Sequence, residues 1–392
     1  MGKIELLAPA GDFPSLRAGI KAGADAVYLG LKTFNMRDSA KNFSFKELNT
    51  VSRICRKNNV KLYLALNTIV YDNEIKKIEN LIKKVKNKVD AVICWDFSVI
   101  NLCRKYKIPF HISTQASVSN EETAKFYKNL GAKRINLARE LNLKQIKKIS
   151  KVISVEIFAH GALCVSISGR CFTSQFLQNR SANRGQCAHP CRRAYTIKDP
   201  DGYTLKLENN RVMSAKDLCT LPFIEQIKKA NISSIKIEGR NRNPEYVYAV
   251  ISEYRKALDK KLTKEEINQS INNLKKVYNR GFSSGFYLRL PNSDDFSNSE
   301  DGEAKERKKF VGRIEKYWNK IGVAHVKILA DYLKLGDEIY IIGNTTGLIK
   351  TKVESMEMKN QKVQEAKKGQ DVGVKLPLCR KGDAVYIIQK RF

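Results

Sequence analysis

Histidine and long apolar runs are scarce in this 392-residue sequence. Only four histidines could serve as catalytic bases or metal ligands, and no HExxH metal motif is present. No stretch reaches the roughly 18 consecutive apolar residues that a membrane-spanning helix needs, and the first residues lack the apolar segment of a secretion signal. We therefore expect a cytoplasmic protein with no membrane anchor. The shortage of histidine argues against a serine or cysteine protease. The four histidines are His111, His160, His189 and His325.

Acidic residues are also in deficit. The chain has 72 Lys and Arg against 40 Asp and Glu, a formal net charge of +32. Such an excess attracts polyanions and strengthens phosphate contacts through counterion release. The alternative is that the excess lysines only keep the protein surface solvated. Lysine-rich runs such as IKKIENLIKKVKNK at 75–88 also cover the outer faces of ordinary helices. The charge favours a nucleic acid as the partner.

Nine cysteines are present without a secretion signal, so we expect free thiols available for metal binding or catalysis. Four thiolates on one loop suit a 4Fe-4S cluster. They would also suit zinc, although zinc ribbons usually contain two Cys-x-x-Cys pairs, which this sequence lacks. Spacing alone leaves both metals open. The four lie within GALCVSISGRCFTSQFLQNRSANRGQCAHPC: Cys164, Cys171, Cys187 and Cys191.

Short apolar segments alternate with amphipathic stretches along the first 262 residues. This alternation is typical of βα units around a parallel sheet, and eight units predict a (β/α)₈ TIM-like barrel of the α/β class. The predicted strands are 4–7, 26–30, 61–66, 91–94, 109–113, 134–138, 154–158 and 233–238.

The seventh connection is far longer than an ordinary βα loop, and it contains the four clustered cysteines. It leaves the carboxyl end of a strand, where barrel enzymes place their chemistry. We predict a catalytic barrel at 1–262 with a cysteine-rich insertion at 159–217, a helical and linker segment at 263–307, and a small β-barrel at 308–392. Part of the last segment, VESMEMKNQKVQEAKKGQDVGVKL, resembles the second domain of translational GTPases.

Polar residues at the predicted strand ends are the candidates for catalysis. Each has a structural alternative: Glu238 could pair with Arg240, Asn67 could cap a helix, and His160 could be a satisfied core histidine. The catalytic candidates are Asn67, Gln115, Glu156, His160 and Glu238. The substrate-binding candidates are Arg37, Ser113, Thr114, Arg139, Arg170, Lys216 and Arg240.

Several motifs resemble peptidase family U32, the collagenase-like peptidases, over about residues 1–290. Besides the cysteine block they are ELLAPAGDFPSLRAGIKAGADAVYLG, NMRDSAKNF, HISTQASVSN, MSAKDLCTLP and IKIEGRNRNPEYV. The resemblance implies oxygen-independent hydroxylation of RNA, because similar members are associated with 5-hydroxyuridine at the tRNA wobble position and 5-hydroxycytidine in 23S rRNA. It also implies a 4Fe-4S cluster on the four clustered cysteines, as in related ubiquinone-pathway proteins.

The resemblance further implies prephenate as a candidate co-substrate. Its two carboxylates would need cations, and the arginines to consider first are Arg37, Arg139, Arg170 and Arg240. Two alternatives remain beside an iron–sulfur RNA hydroxylase. The protein could be a true peptidase, or it could be a non-catalytic iron–sulfur subunit that forms a heterodimer with a paralogue.

Overall fold

The apolar segments become short strands in the computed structural model, which describes residues 2–193, 195–196, 198–204, 213–297, 299 and 302–391. The first ten strands all belong to one sheet. They are β1 Glu5–Pro9, β2 Ala26–Gly30, β3 Lys61–Ala65, β4 Ala91–Cys94, β5 Phe110–Ile112, β6 Arg134–Asn136, β7 Val155–Gly161, β8 Asp217–Cys219, β9 Ser234–Ile237 and β10 Phe282–Ser283.

Strands β1 to β7 and β9 form a closed parallel barrel. Each of β1 to β6 pairs with the strand that follows it, and β9 pairs with both β7 and β1. The ring therefore has no free edge, and the predicted TIM-like barrel is confirmed.

Amphipathic helices follow the barrel strands, and side chains cap several of them. Asp12, Ser44 and Asp96 each accept a hydrogen bond from a backbone N–H in the first turn of the next helix. In the described residues no helix is long and apolar enough to span a bilayer. The helices are α1 Phe13–Lys21, α2 Phe45–Lys57, α3 Ile75–Val85, α4 Phe97–Lys105, α5 Glu121–Asn129, α6 Leu143–Ile149, α7 Thr173–Gln178, α8 Ile224–Lys228, α9 Pro244–Asp259 and α10 Lys264–Lys276.

Side chains alternate between the two faces of each barrel strand. In β1, Leu6 and Ala8 belong to the large core between strands and helices. Leu7 belongs instead to a small cluster inside the barrel, with Tyr28 and Tyr63. This two-residue period decides which side chains can reach the mouth of the barrel.

The insertion between β7 and β8 is tied down by two strands that the sequence pattern does not predict. β8 runs antiparallel to β7 and parallel to β10. At three and two residues, these strands are too short to show an alternating pattern. Strand β7 also extends to Gly161, beyond its predicted end at 158.

The rest of the described chain forms antiparallel sheets. An eight-stranded sheet and a two-stranded sheet contribute to one separate apolar core. Their strands are β11 Glu306–Trp318, β12 Val323–Ile328, β13 Tyr332–Lys334, β14 Glu338–Gly343, β15 Gly347–Lys352, β16 Met356–Met358, β17 Gln361–Lys362, β18 Glu365–Lys367, β19 Asp371–Lys375 and β20 Ala384–Lys390.

Polar contacts join this C-terminal domain to the helices of the barrel. Arg17 Nε of α1 donates to the carbonyl of Asn344 at 2.7 Å, and Lys21 Nζ donates to that of Leu348 at 3.2 Å. Lys308 of β11 pairs with Glu245 of α9 at 2.9 Å. The two apolar cores remain separate clusters.

Candidate active site at the barrel mouth

One cavity at the carboxyl end of the barrel strands gathers most of the predicted site residues. Its volume is about 40 Å³. Parallel strands all end at the same rim, which brings together residues that are distant in sequence. Tyr28 and Lys236 line the cavity as well and were missed, although both occupy inward positions of predicted strands. The predicted residues in the lining are Arg37, Asn67, Ser113, Thr114, Gln115, Arg139, Glu238 and Arg240.

Amide and hydroxyl groups form a hydrogen-bonded set on one wall of this cavity. Asn67 Nδ2 donates to Ser113 Oγ at 3.3 Å and to Gln115 Oε1 at 3.2 Å. The Ser113 hydroxyl also donates to Gln115 Oε1. Asn67 Oδ1 accepts from the backbone N–H of Met36 at 3.2 Å, so Asn67 joins two loops of the rim and does not cap a helix. The Gln115 Nε2 amide makes no hydrogen bond in the described chain and can donate to a ligand.

Glu238 is the one carboxylate among the described residues that line the mouth. Its Oε1 accepts from Arg37 Nε at 3.1 Å and lies 3.0 Å from Arg37 Nη2. Its Oε2 accepts from the Tyr28 hydroxyl at 3.3 Å. Burial alone raises the pKa of Glu238, but the charges of Arg37, Arg139 and Arg240 outweigh it and hold this pKa at about 2. The carboxylate is therefore ionised at neutral pH.

Two arginines of the mouth keep N–H groups without a partner in the described structure. Arg240 is 4% exposed, and its Nη1 makes no hydrogen bond. Burial lowers the pKa of Arg240 to about 10, so the side chain stays charged at neutral pH. Arg139 Nη1 donates to the carbonyl of Ala162 at 2.9 Å, while its Nε has no partner. Buried donors of this kind indicate a site for an anionic or carbonyl-bearing ligand.

Glu156 lies one layer deeper, inside the barrel. Its carboxylate is 3.2 Å from Lys236 Nζ and 3.5 Å from Arg134 Nη1, and it accepts from Asn136 Nδ2 at 3.0 Å. The carboxylate is fully buried among these partners and does not line the mouth cavity. Its position fits an internal ion network that supports the mouth through Lys236.

His160 faces the helices rather than the mouth. A bulge in the pairing of β7 with β9 leaves Ala159 without a partner residue on β9. The bulge reverses the inward and outward alternation of the side chains of β7, and His160 therefore pairs with the outward-facing Ile237. Its Nδ1 is 3.5 Å from the Tyr254 hydroxyl of α9, and burial lowers its pKa to about 4. His160 therefore occupies the position of the core histidine that was its structural alternative.

The cysteine-rich insertion lies against the rim of the mouth. Its Gly185 has φ +93°, and a Cβ there would lie 2.4 Å from the carbonyl oxygen of Asn35. The Asp38 N–H donates to the Gly185 carbonyl at 3.1 Å. A Cβ on Gly169 would lie 3.0 Å from the Gln115 side chain. Glycine permits this close approach, which lets the insertion cover part of the mouth.

Exposure separates the four clustered cysteines from the others. Cys164 is exposed, and Cys171, Cys187 and Cys191 are partly exposed. Burial raises the pKa of the Cys191 thiol, and the proximity of Cys164 and Cys187 raises it further. The Cys171 thiol is 3.3 Å from the Thr173 hydroxyl. The remaining cysteines are all buried: Cys55, Cys94, Cys103, Cys219 and Cys379.

A second cavity, of about 250 Å³, adjoins the mouth and is lined by Cys164. Thr114, Arg139 and Ser168 line both cavities, so the two are neighbours. Much of its wall is apolar, with Leu163, Val165, Ile167, Phe286 and Phe296. A flat, partly apolar ring could enter this space.

Two predicted binding residues lie outside both cavities. Arg170 is exposed on the insertion, with its guanidinium carbon 5.8 Å from the centre of the Trp95 ring. The backbone N–H of Lys216 donates to the Asp295 carbonyl at 2.7 Å, and its side chain lies beside Gly281. The structure therefore gives neither residue a place in the mouth.

The segment Gly281–Gly285 matches the Gly-x-Ser-x-Gly spacing of hydrolase nucleophile elbows. Its Ser283 ends the two-residue strand β10, and no helix follows within the elbow. Ser283 Oγ accepts from the Gly285 N–H at 3.3 Å. The histidine side chains that hydrogen-bond in the described chain do so with Tyr254 and Asp371, so this part of the chain shows no Ser–His or Cys–His pair.

Known proteins are similar to this chain along most of its length. The model of peptidase family U32 matches residues 11–296. An uncharacterized protease of Methanocaldococcus jannaschii is 43% identical, with 100% of this chain and 99% of that protein covered. A collagenase of Porphyromonas gingivalis is 40% identical, with 99% and 98% covered. The tRNA hydroxylation protein P1 of Bacillus subtilis is 31% identical, with 87% and 84% covered. The chain belongs to peptidase family U32.

Proposed function

We propose that this protein is an iron–sulfur enzyme that hydroxylates C5 of a pyrimidine in RNA, either the wobble uridine of a tRNA or a cytidine of 23S rRNA. The observation that carries the proposal is the position of Cys164. This thiol lines the 250 Å³ cavity, which shares Thr114 and Arg139 with the barrel mouth. A cofactor held by the insertion would therefore lie beside a space that suits a nucleobase.

The cysteine insertion has the chemistry expected of a cluster site. Cys164, Cys171, Cys187 and Cys191 would hold a 4Fe-4S cluster, which supplies one-electron redox chemistry when bound. In the described residues no three His, Cys, Asp or Glu side chains converge on a position for one metal ion. A tetrahedral zinc site would require such convergence at about 2.3 Å from the ion.

Positive charge around the thiols supports the same assignment. Arg37 and Arg139 lie close enough to Cys164 for a negative charge on its sulfur to raise their pKa values. The sulfurs of Cys164 and Cys191 act on the pKa of Arg192 in the same direction. The Nε atoms of Arg139 and Arg192 are buried without a partner in the described chain. These cations would offset the negative charge of a thiolate-bound cluster.

The mouth and the adjoining 250 Å³ cavity together provide groups suited to a pyrimidine and a small anion. The Gln115 Nε2 amide can donate to an oxygen or nitrogen atom at the edge of a flipped base, while Asn67 and Ser113 hold the Gln115 carbonyl oxygen in place. Arg240 and Arg139 can bind a carboxylate, in agreement with prephenate as co-substrate. Glu238 orients Arg37, and the apolar walls beside Cys164 keep water from the base.

RNA as the substrate is supported by charge and by one relative. The net charge of +32 favours a polyanion over a protein substrate. The Bacillus subtilis relative is named for tRNA hydroxylation and covers 87% of this chain.

Peptide hydrolysis is the second candidate, because the two more similar relatives are named protease and collagenase. Nucleoside mass spectrometry of tRNA and rRNA from a strain without this gene separates the two. We expect a 5-hydroxypyrimidine to disappear and to return with the wild-type gene. An unchanged nucleoside profile, together with gelatin cleavage by the purified protein, would refute the RNA proposal in favour of the peptidase.

A further inference from the structure

A third cavity, of about 220 Å³, opens beside the mouth and is lined by four arginines. Arg37 and Glu238 line both this cavity and the mouth. The other arginines come from the insertion, the β9–α9 loop and the segment before β10: Arg192, Arg242 and Arg280.

Positive charge in this third cavity exceeds negative charge. Arg37 pairs with Glu238, and Arg280 pairs with the buried Asp217 at 2.8 Å. Arg192 Nη1 donates to the carbonyl of Ala215 at 2.8 Å and has no carboxylate partner in the described chain, although its charge also acts on the thiols of Cys164 and Cys191. Two carboxylates therefore face four guanidinium groups, an arrangement that attracts an anion.

Arg242 makes no hydrogen bond or ion pair through its side chain in the described structure. Its guanidinium carbon lies 3.5 Å from the centre of the Tyr278 ring, so the two groups are stacked. The side chain is half-buried and its N–H groups remain available. A stacked arginine of this kind can donate to a phosphate and support an unstacked base.

A fourth cavity, of about 330 Å³, continues from this point towards the C-terminal domain. Asn241, Arg242 and Tyr278 line both the third and fourth cavities. The two carboxylates that line the fourth cavity are paired, Glu245 with Lys308 and Glu306 with Lys276. In the described chain its remaining cations have no carboxylate partner: Arg242, Arg307 and Arg391.

We propose that these connected cavities form one track for an RNA strand, which runs from the C-terminal domain past Arg242 into the barrel mouth. The inference rests on the proposed RNA function and specifies how the substrate binds. Phosphates lie against Arg307 and Arg242, and the nucleotide to be modified turns past the mouth towards the cavity beside Cys164. A linear polyanion explains why unpaired cations follow one another across two domains, which a single small anion does not require.

Charge-removing variants test the track directly. Arg242→Gln and Arg307→Gln should each weaken binding of a labelled oligouridine by about tenfold, the effect of one charge-assisted hydrogen bond. The slope of log affinity against log salt should fall by about one for each variant. Arg53→Gln is the matched control, since Arg53 of α2 is exposed, bonds only to Thr50 among the described residues and lines none of these cavities. It should leave both quantities unchanged.

Three results would overturn the track. One is wild-type affinity in both track variants, and the other is an equal loss in Arg53→Gln. Loss of succinate binding in Arg242→Gln with RNA affinity intact would also overturn it, because the cavity would then hold a small dianion. Failure of the wild-type protein to bind or modify RNA refutes the proposed function itself, whereas a functional wild type with unaffected variants refutes the track alone.

Photo-crosslinking of the wild-type protein gives a test that does not depend on folding of a variant. Oligouridine that contains 4-thiouridine should crosslink to peptides around 239–247, 276–280 and 304–308. Crosslinks confined to other surfaces would contradict the track.

Discussion

Replacing Glu238 by Gln removes the negative charge that three arginines of the barrel mouth share. The wild-type carboxylate accepts from Arg37 at 3.1 Å, and its pKa is held at about 2 by Arg37, Arg139 and Arg240. In an unfolded chain the carboxyl group has its ordinary pKa of 4.5. The folded pKa is therefore the lower one, and ionisation of Glu238 stabilises the fold.

The size and pH window of the effect follow from this difference. The stabilisation is complete above the unfolded pKa of 4.5 and is lost as the pH falls through that value towards 2. It amounts to about 3 kcal/mol at pH 7 and about 1.5 kcal/mol at pH 3. Gln cannot ionise, so the variant lacks this contribution at every pH.

Urea denaturation of both proteins at pH 7 and pH 3 measures the effect. We expect Glu238→Gln to be less stable than the wild type at pH 7, and the difference in unfolding free energy to shrink to about half at pH 3. Glu122→Gln is the control, because Glu122 is exposed and Lys125 is its one ion-pair partner in the described part of the chain, and its gap should stay near zero. A gap for Glu238→Gln that is the same at both pH values would refute the electrostatic account of the mouth.

Three further predictions concern the cofactor, the base and the domains. Replacement of Cys164, Cys171, Cys187 or Cys191 by Ala should abolish iron binding in anaerobically purified protein. Cys55→Ala and Cys103→Ala, at buried cysteines, should retain the iron. Stoichiometric zinc in the wild-type protein would contradict the prediction. Gln115→Ala should lower kcat/KM for RNA by about tenfold, the effect of one lost hydrogen bond to a base, and should also lower the melting temperature by a few degrees, because Asn67 Nδ2 and the Ser113 hydroxyl lose their acceptor. A chain that ends at residue 297 should fold, because the barrel and the C-terminal domain have separate apolar cores. It should lose most of its affinity for RNA. Full affinity would refute the role of the C-terminal domain in RNA binding.

The barrel was predictable because each of its strands is a short apolar run followed by an amphipathic stretch. β8 and β10 were not, since two or three residues carry no pattern, and their pairing depends on the path of the insertion. The pairing partners of the C-terminal strands could not be predicted either. The alternation of apolar and polar residues predicts which face of a strand is buried, but it does not predict which strands lie next to each other.

The mouth was largely predictable because the carboxyl ends of parallel strands meet at one rim, as they do for Asn67, Gln115 and Glu238. The failure at His160 has a local cause. A bulge that shifts the register by one residue turns it towards α9, and no sequence pattern marked that bulge. The sequence did not identify Arg242 and Arg280 as lining a cavity, because the loops that hold them meet only in the folded chain. Arg242 nevertheless lies two residues after Arg240 in the motif IKIEGRNRNPEYV.

Nucleoside mass spectrometry of cells that carry Cys187→Ala or Gln115→Ala in place of the wild-type gene tests the central claim most directly. If the cysteine insertion and the barrel mouth act together on RNA, both variants should lose the same 5-hydroxypyrimidine while the protein stays folded and abundant. An unchanged level of that nucleoside in both variants, with the modification still dependent on the presence of the protein, would contradict the claim. It would show that the chain supports the reaction without performing it.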